Sequence, residues 1–183
     1  MRTRAAAVER RLPDNYFDFF EIPHRLSLDL KELEKRFYAL SRKWHPDRFA
    51  RGSAEEKELA LDASAILNDG YRVLRDPIQR ANYLLKEHGF DIGEQQGKDV
   101  PPELLEEVFE LNMALEESDE PAIAEARKRF EGMLREVDSE LEKLGAEYDQ
   151  APSRDTLATV RATLNRRKYI QNLVLRTETV RHE

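Results

Sequence analysis

RKWHPDRF (residues 42–49) breaks an amphipathic pattern, and its reading decides the fold. Upstream of it Leu30, Leu33, Phe37, Leu40 and Trp44 recur at intervals of three and four, the mark of one apolar helix face. Asp29, followed three positions later by Glu32, supplies a capping box at the start of that helix. At Pro46 the pattern must stop, because the ring fixes its own φ and steers His45 out of helical geometry. Downstream, the SAEE run (residues 53–56) is a second capping box. It opens a helix carrying Leu59, Ala63, Ile66 and Val73, with Leu67, Tyr71 and Leu74 widening the buried face. The pattern predicts a helical hairpin with His45 and Asp47 projecting from a rigid tip, clamped by Trp44 and Phe37 against the second helix.

Working outward from the hairpin, PDNYFDFFEIP (residues 13–23) reads as a short aromatic helix closed by Pro23. The second hairpin helix stops at Asp76–Pro77, and IQRANYLLKEHG (residues 78–89) forms a further helix with Gly89 as its C-cap. Residues 89–102, GFDIGEQQGKDVPP, hold three of the seven glycines and two of the eight prolines, so a linker is placed at 89–101. Three helical patterns follow at 102–117, 120–147 and 154–177, and no stretch alternates with period two for long enough to make a strand. The expected fold is all-α: a disordered basic tail at 1–12, a small helical domain at 13–88, the linker, and an antiparallel three-helix bundle at 102–180.

Composition narrows the function. The 183 residues are 37% charged and include no cysteine, which excludes disulfides, cysteine zinc sites and thiol catalysis. No apolar run reaches the roughly 18–20 residues a bilayer requires, and the start lacks the apolar core of a secretory signal. A reducing, cytoplasmic setting away from membranes is expected. The net charge of −7 divides unevenly. Residues 27–51 carry seven Lys or Arg against four acids, whereas residues 101–150 carry sixteen acids against five bases. Two oppositely charged regions suggest two partners, and the acidic whole argues against nucleic acid.

Three chemistries suit His45 and Asp47. A catalytic pair would need them to face each other across Pro46 and a nucleophile nearby, and neighbours flanking a proline rarely do so. A metal site needs three or four ligands, and His24, His88 and His182 are scattered without ligand spacing. A metal-dependent enzyme drawing on His45, Asp47 and acids of the second domain is the rival class. A rigid polar tip beside a basic helix fits a docking element better.

The first bundle helix has a second feature. At about 100° per residue, Leu104, Val108, Leu111 and Leu115 share one narrow arc, while Leu105, Phe109 and Met113 share another roughly 100–180° away. Glu106, Glu110 and Glu117 lie beyond the second arc. One stripe faces the bundle core and the other must face something else. Late in the chain Leu157, Val160 and Leu164 mark a core stripe, with Tyr169 about 120° off it. Surplus apolar positions on two helices could form one patch rimmed by acids, the anatomy of a binding site.

A helix with a basic outer face, the His-Pro-Asp tip, and an antiparallel helix ending near LRDP (residues 74–77) resemble the J domain. AILNDGYRVLRDPIQRANYLLKEHGFD (residues 65–91), followed by the acidic three-helix region, extends the likeness to about residues 14–177. Over that length the chain is similar to the HscB family, J-type co-chaperones of iron–sulfur cluster assembly. The resemblance implies that His45, Pro46 and Asp47 contact a DnaK-class ATPase, the specialised HscA or a general relative, and stimulate its hydrolysis without taking part in the chemistry. It implies that Lys31, Lys35 and Arg42, flanked by Arg36 and Lys43, meet an acidic surface on that ATPase. It also implies that Leu105, Phe109, Met113 and Tyr169 hold an IscU-like cluster scaffold, and that the adaptor needs no cofactor or metal of its own. Glu106 stands where a methionine is more usual in the family, and Gly70 where alanine is. The cysteine-rich N-terminal motif of eukaryotic members is missing from this sequence, which points to a bacterial type. A J protein serving another client is the nearer alternative.

Overall fold

The computed structural model describes residues 12–91 and 102–179; the expected tail at 1–11, most of the expected linker and position 180 lie outside them. Among the described residues the fold is all-α. Helices α1 (Tyr16–Phe19), α2 (Leu30–Trp44), α3 (Ala54–Arg75) and α4 (Pro77–Glu87) precede α5 (Leu105–Glu117), α6 (Glu120–Gln150) and α7 (Arg154–Thr179). Two short 3-10 turns, Pro46–Phe49 and Pro102–Leu104, complete the order. None of these helices is long and apolar enough to cross a membrane.

The chain divides into two compact units. The first takes the residues up to His24 together with Leu28–Arg80, and the second takes Arg25–Ser27 together with Ala81 onward. The division therefore falls within α4.

In the first unit the aromatic segment folds as a single turn, capped by the Asn15 side chain, which accepts the Asp18 N–H at 2.9 Å. It drives Phe17, Phe19 and Phe20 into the core. The N-cap of α2 is Asp29, whose carboxylate accepts the N–H groups of Lys31 and Glu32. The expected return bond from Glu32 is not made, because its carboxylate binds Arg36 at 3.0 Å instead. The second capping box is complete: Ser53 Oγ accepts the Glu56 N–H, and the Glu56 carboxylate accepts the Ser53 N–H.

The buried face of α3 is Ala60, Ala63, Leu67, Gly70 and Leu74. Leu59, Ile66, Tyr71 and Val73 end only half-buried, so the centre of the face is turned from the one expected. Small residues at 60, 63 and 70 lie at the centre of that face. At Gly70 a Cβ would meet ring atoms of Phe20 and Tyr16 at 2.9 and 3.0 Å. The glycine is therefore a seat for α1, and its helix-propensity cost is offset by aromatic burial. Gly70→Ala, although it favours helix, is expected to destabilise the first unit by about 1–3 kcal/mol through overpacking against buried Phe20. Urea unfolding measures this, and a variant as stable as the parent would mean that α1 can lift off freely.

At the end of α3 Arg80, itself buried, donates to the Leu74 carbonyl, while the Asp76 carboxylate starts α4 by accepting from Ile78 and Gln79 N–H. Gly89, at φ 73°, ends α4 as expected, with Gly89 N–H on the Lys86 carbonyl and Phe90 N–H on that of Leu85.

The second unit holds an antiparallel α6–α7 hairpin, stitched from end to end by Arg127 to Glu178, Arg167 to Asp138, Thr163 to Glu140 and Thr156 to Glu147. Helix α5 turns back on α6 through Ser118, and Arg129 reaches Glu110 at 2.7 Å. Leu104, Leu111, Ala126, Phe130, Val137, Ile170 and Leu173 form a core, with Val108 and Leu115 packed against it. The first α5 arc thus faces inward as expected, and Leu157, Val160 and Leu164 are buried too.

Candidate functional site

The tip of the α2–α3 hairpin is built from its own bonds. His45 leaves the helix at φ −60°, ψ 127°, and Pro46 opens the 3-10 turn. The Asp47 N–H donates to His45 Nδ1 at 3.3 Å, and the Arg48 N–H donates to the His45 carbonyl at 3.0 Å. With Nδ1 accepting, the neutral ring carries its proton on Nε2. The Arg48 guanidinium donates to the Arg42 carbonyl at the free end of α2. Ser64 Oγ on α3 donates to the Trp44 carbonyl, and the Trp44 ring stacks on Phe49 at 6.0 Å. The clamp is therefore Trp44 on Phe49, with Phe37 against Tyr71 of α3 at 4.4 Å.

Contrary to expectation, His45 and Asp47 do approach each other across the proline: Nδ1 lies 3.6 Å from Oδ2. That distance is too long for a hydrogen bond. The Asp47 side chain is 91% exposed, so the pair holds no dry pocket in which a base could act. Among the described residues no three His, Asp or Glu side chains gather as a metal site.

Lys31, Lys35 and Arg42 are exposed on one side of α2. Lys35 makes a loose pair with Glu32 at 3.8 Å, and neither Lys31 nor Arg42 is held by a carboxylate among the described residues. Arg36 is different. It binds Glu32, the Phe20 carbonyl and, at 3.9 Å, Glu21, so it belongs to the packing of α1 on α2. Lys43 lies over the Trp44 ring at 5.3 Å.

In the second unit, Leu105, Phe109 and Met113 are 55, 66 and 43% exposed, on the side of α5 away from buried Leu111. Glu106, Glu110 and Glu117 line one flank of this stripe. Tyr169 is half-buried against the bundle core. Its place relative to α5 follows from register. Helices α5 and α7 both run antiparallel to α6, hence parallel to one another, and Arg176 of α7 donates to Asn112 of α5 at 2.7 Å. Seven residues back on each helix, two turns on nearly the same face, bring Tyr169 level with Leu105. Sequence reading missed Tyr38, which stands 55% exposed among the α2 cations. Its spacing of seven from Lys31 was the available signal.

These two surfaces, a braced tip beside exposed cations and an apolar helix stripe, sit in regions that match known families. Residues 15–83 match the DnaJ domain, and residues 100–176 match the HSCB C-terminal oligomerisation domain. The chain is similar to the chaperone HscB from Vibrio cholerae, at 28% identity and a TM-score of 0.62, covering 91% of this chain and 97% of that one. It is also similar to the human co-chaperone protein HscB in its crystal structure, at 26% identity and a TM-score of 0.69, covering 94% of this chain and 86% of that one.

Proposed function

The chain belongs to the HscB family of J-domain co-chaperones, non-enzymatic partners of Hsp70-class ATPases, and we propose that it delivers an IscU-like iron–sulfur scaffold to an HscA- or DnaK-class chaperone and triggers that chaperone's ATP hydrolysis. His45, Pro46 and Asp47 with Lys31, Lys35 and Arg42 dock the ATPase; Leu105, Phe109, Met113 and Tyr169 dock the scaffold. The J domain corresponds to residues 13–88 and the scaffold-binding domain to 102–180, joined at 89–101, and the protein works in the cytoplasm without a cofactor. The observation that carries this reading is the bare stripe on α5: three large apolar side chains on one exposed face, within the family's C-terminal domain. A helix keeps such a face in water only at a cost that burial against a partner recovers. Titrating this protein into an HscA-type ATPase with and without the scaffold tests the proposal. Stimulation by this protein, increased when the scaffold is added, supports it; no stimulation with or without scaffold overturns it. Glu106, a carboxylate beside the apolar stripe, favours a second reading in which the client is a different protein, and a pull-down with the scaffold as bait separates the two.

The two contacts should respond differently to salt. Exposed cations are screened over about 8–10 Å near physiological ionic strength, whereas apolar burial weakens little and can strengthen. From about 50 to 300 mM salt, affinity for the ATPase is expected to fall several-fold, mainly through the association rate, with scaffold affinity nearly flat. Lys35→Glu with Arg42→Glu should flatten the ATPase curve and leave the scaffold curve untouched. Equal slopes at the two sites in the parent protein would refute the division between basic helix and apolar stripe.

A further inference from the structure

We infer that Tyr38 is the aromatic anchor of the α2 contact, seated in an apolar notch of an acidic surface on the ATPase; the inference rests on the docking reading above. At about 100° per residue, Lys31, Lys35, Tyr38 and Arg42 all fall within an arc of about 60° on α2, opposite buried Leu33. Tyr38 is 55% exposed, and the other large exposed apolar residues of this unit, Leu30 and Leu61, lie off that arc. The arc runs to Arg42, one turn before the His45 tip, so the aromatic ring is continuous with the docking loop.

The Tyr38 ring is braced as well as exposed. It meets Phe37 edge-on at 5.5 Å, and Phe37 in turn lies 4.4 Å from the Tyr71 ring of α3. Its hydroxyl has no partner among the described residues. A ring held in place before contact loses little freedom on docking, and a hydroxyl with no internal bond is available to a neutral acceptor on the partner. Three cations share its arc and Glu34 lies on one flank, so the matching surface is mainly acidic around an apolar notch, with the energy concentrated on the ring and the charges forming a solvated rim. The cations set the encounter rate and the ring sets the lifetime.

The test compares Tyr38→Ala and Tyr38→Phe in titrations of a purified HscA-type ATPase, with His45→Gln alongside and thermal melting of each variant. Tyr38→Ala should raise the half-saturating concentration roughly 10-fold, as expected for losing an interfacial aromatic. The maximal stimulation should be retained, because the tip is intact, and the salt slope should be unchanged, because no charge is lost. Tyr38→Phe should stay within about threefold of the parent, as for loss of one hydrogen bond. Alanine is the best helix former and the site is exposed, so the melting temperature should hold. A Tyr38→Ala titration that overlays the parent, with His45→Gln inactive, overturns the anchor alone. A His45→Gln protein that stimulates normally overturns the docking reading and the anchor with it. A Tyr38→Ala protein that saturates at a lower maximum also overturns the anchor, by placing Tyr38 in the trigger.

Discussion

Replacing His45 by Gln should return the partner ATPase to its basal rate at every concentration tested, while the protein melts within a degree or two of the parent. The loss is expected to be complete because the tip is small and braced by its own hydrogen bonds. The Asp47 and Arg48 N–H groups both bond back to His45, and Arg48 caps the end of α2. In the proposed docking role a group fixed this way would act through its outward atoms, and for His45 that is Nε2–H on an exposed ring. Glutamine keeps an acceptor that can reach the Asp47 N–H, so the turn survives, but it does not present an imidazole N–H at the same place. Exposed substitutions away from packing change stability by about ±0.5 kcal/mol. Single-turnover ATPase assays with circular-dichroism melts decide it. A variant that unfolds makes His45 a structural cap, and one that stimulates normally removes it from the interface.

Leu105→Ser with Phe109→Ser should weaken binding of the cluster scaffold by roughly 30- to 700-fold and leave J-domain stimulation of the ATPase unchanged. Full burial of one such side chain contributes about 1.5–3 kcal/mol. Both are already partly covered in the free protein, so about 2–4 kcal/mol for the pair is the reasonable loss, at 1.4 kcal/mol per tenfold. Because both face outward, opposite Leu111, the bundle itself should lose little. Deleting two buried side chains would instead cost about 2–5 kcal/mol each and lower the melting temperature by many degrees. Calorimetric titration together with a melt therefore distinguishes a binding face from a core. Unchanged scaffold affinity in a stable double variant would assign the stripe to some other partner.

Local rules made much of this molecule legible in one dimension. Proline at 46 and 77, the Ser53 capping box and Gly89 each act on their own few residues, so their consequences, two hairpin ends, a helix start and a helix stop, appear where the sequence places them. The two arcs of α5 were also readable, because helical geometry alone separates Leu111 from Leu105, Phe109 and Met113. The pattern established that two apolar faces exist.

Only tertiary structure decided which neighbours those faces meet. Helix α3 has enough apolar residues for a broad face, and its centre was chosen by where Phe20 and Tyr16 could sit against a glycine rather than by the larger Leu59, Ile66 and Val73. The same competition took Glu32 from its cap to Arg36, and drew Arg36, a flanking cation, into the packing of α1. Tyr169 lies level with Leu105 only because α5 and α7 run parallel in a register marked by Arg176 and Asn112, a contact between residues 64 apart in sequence. Tyr38 stands exposed among cations because Phe37, its neighbour, takes the inward position against Tyr71. Capping, termination and periodicity depend on residues within a turn or two of one another, so the sequence carries them. Partner choice among several adequate apolar or charged neighbours depends on which helices arrive together, and that is settled only when the core closes.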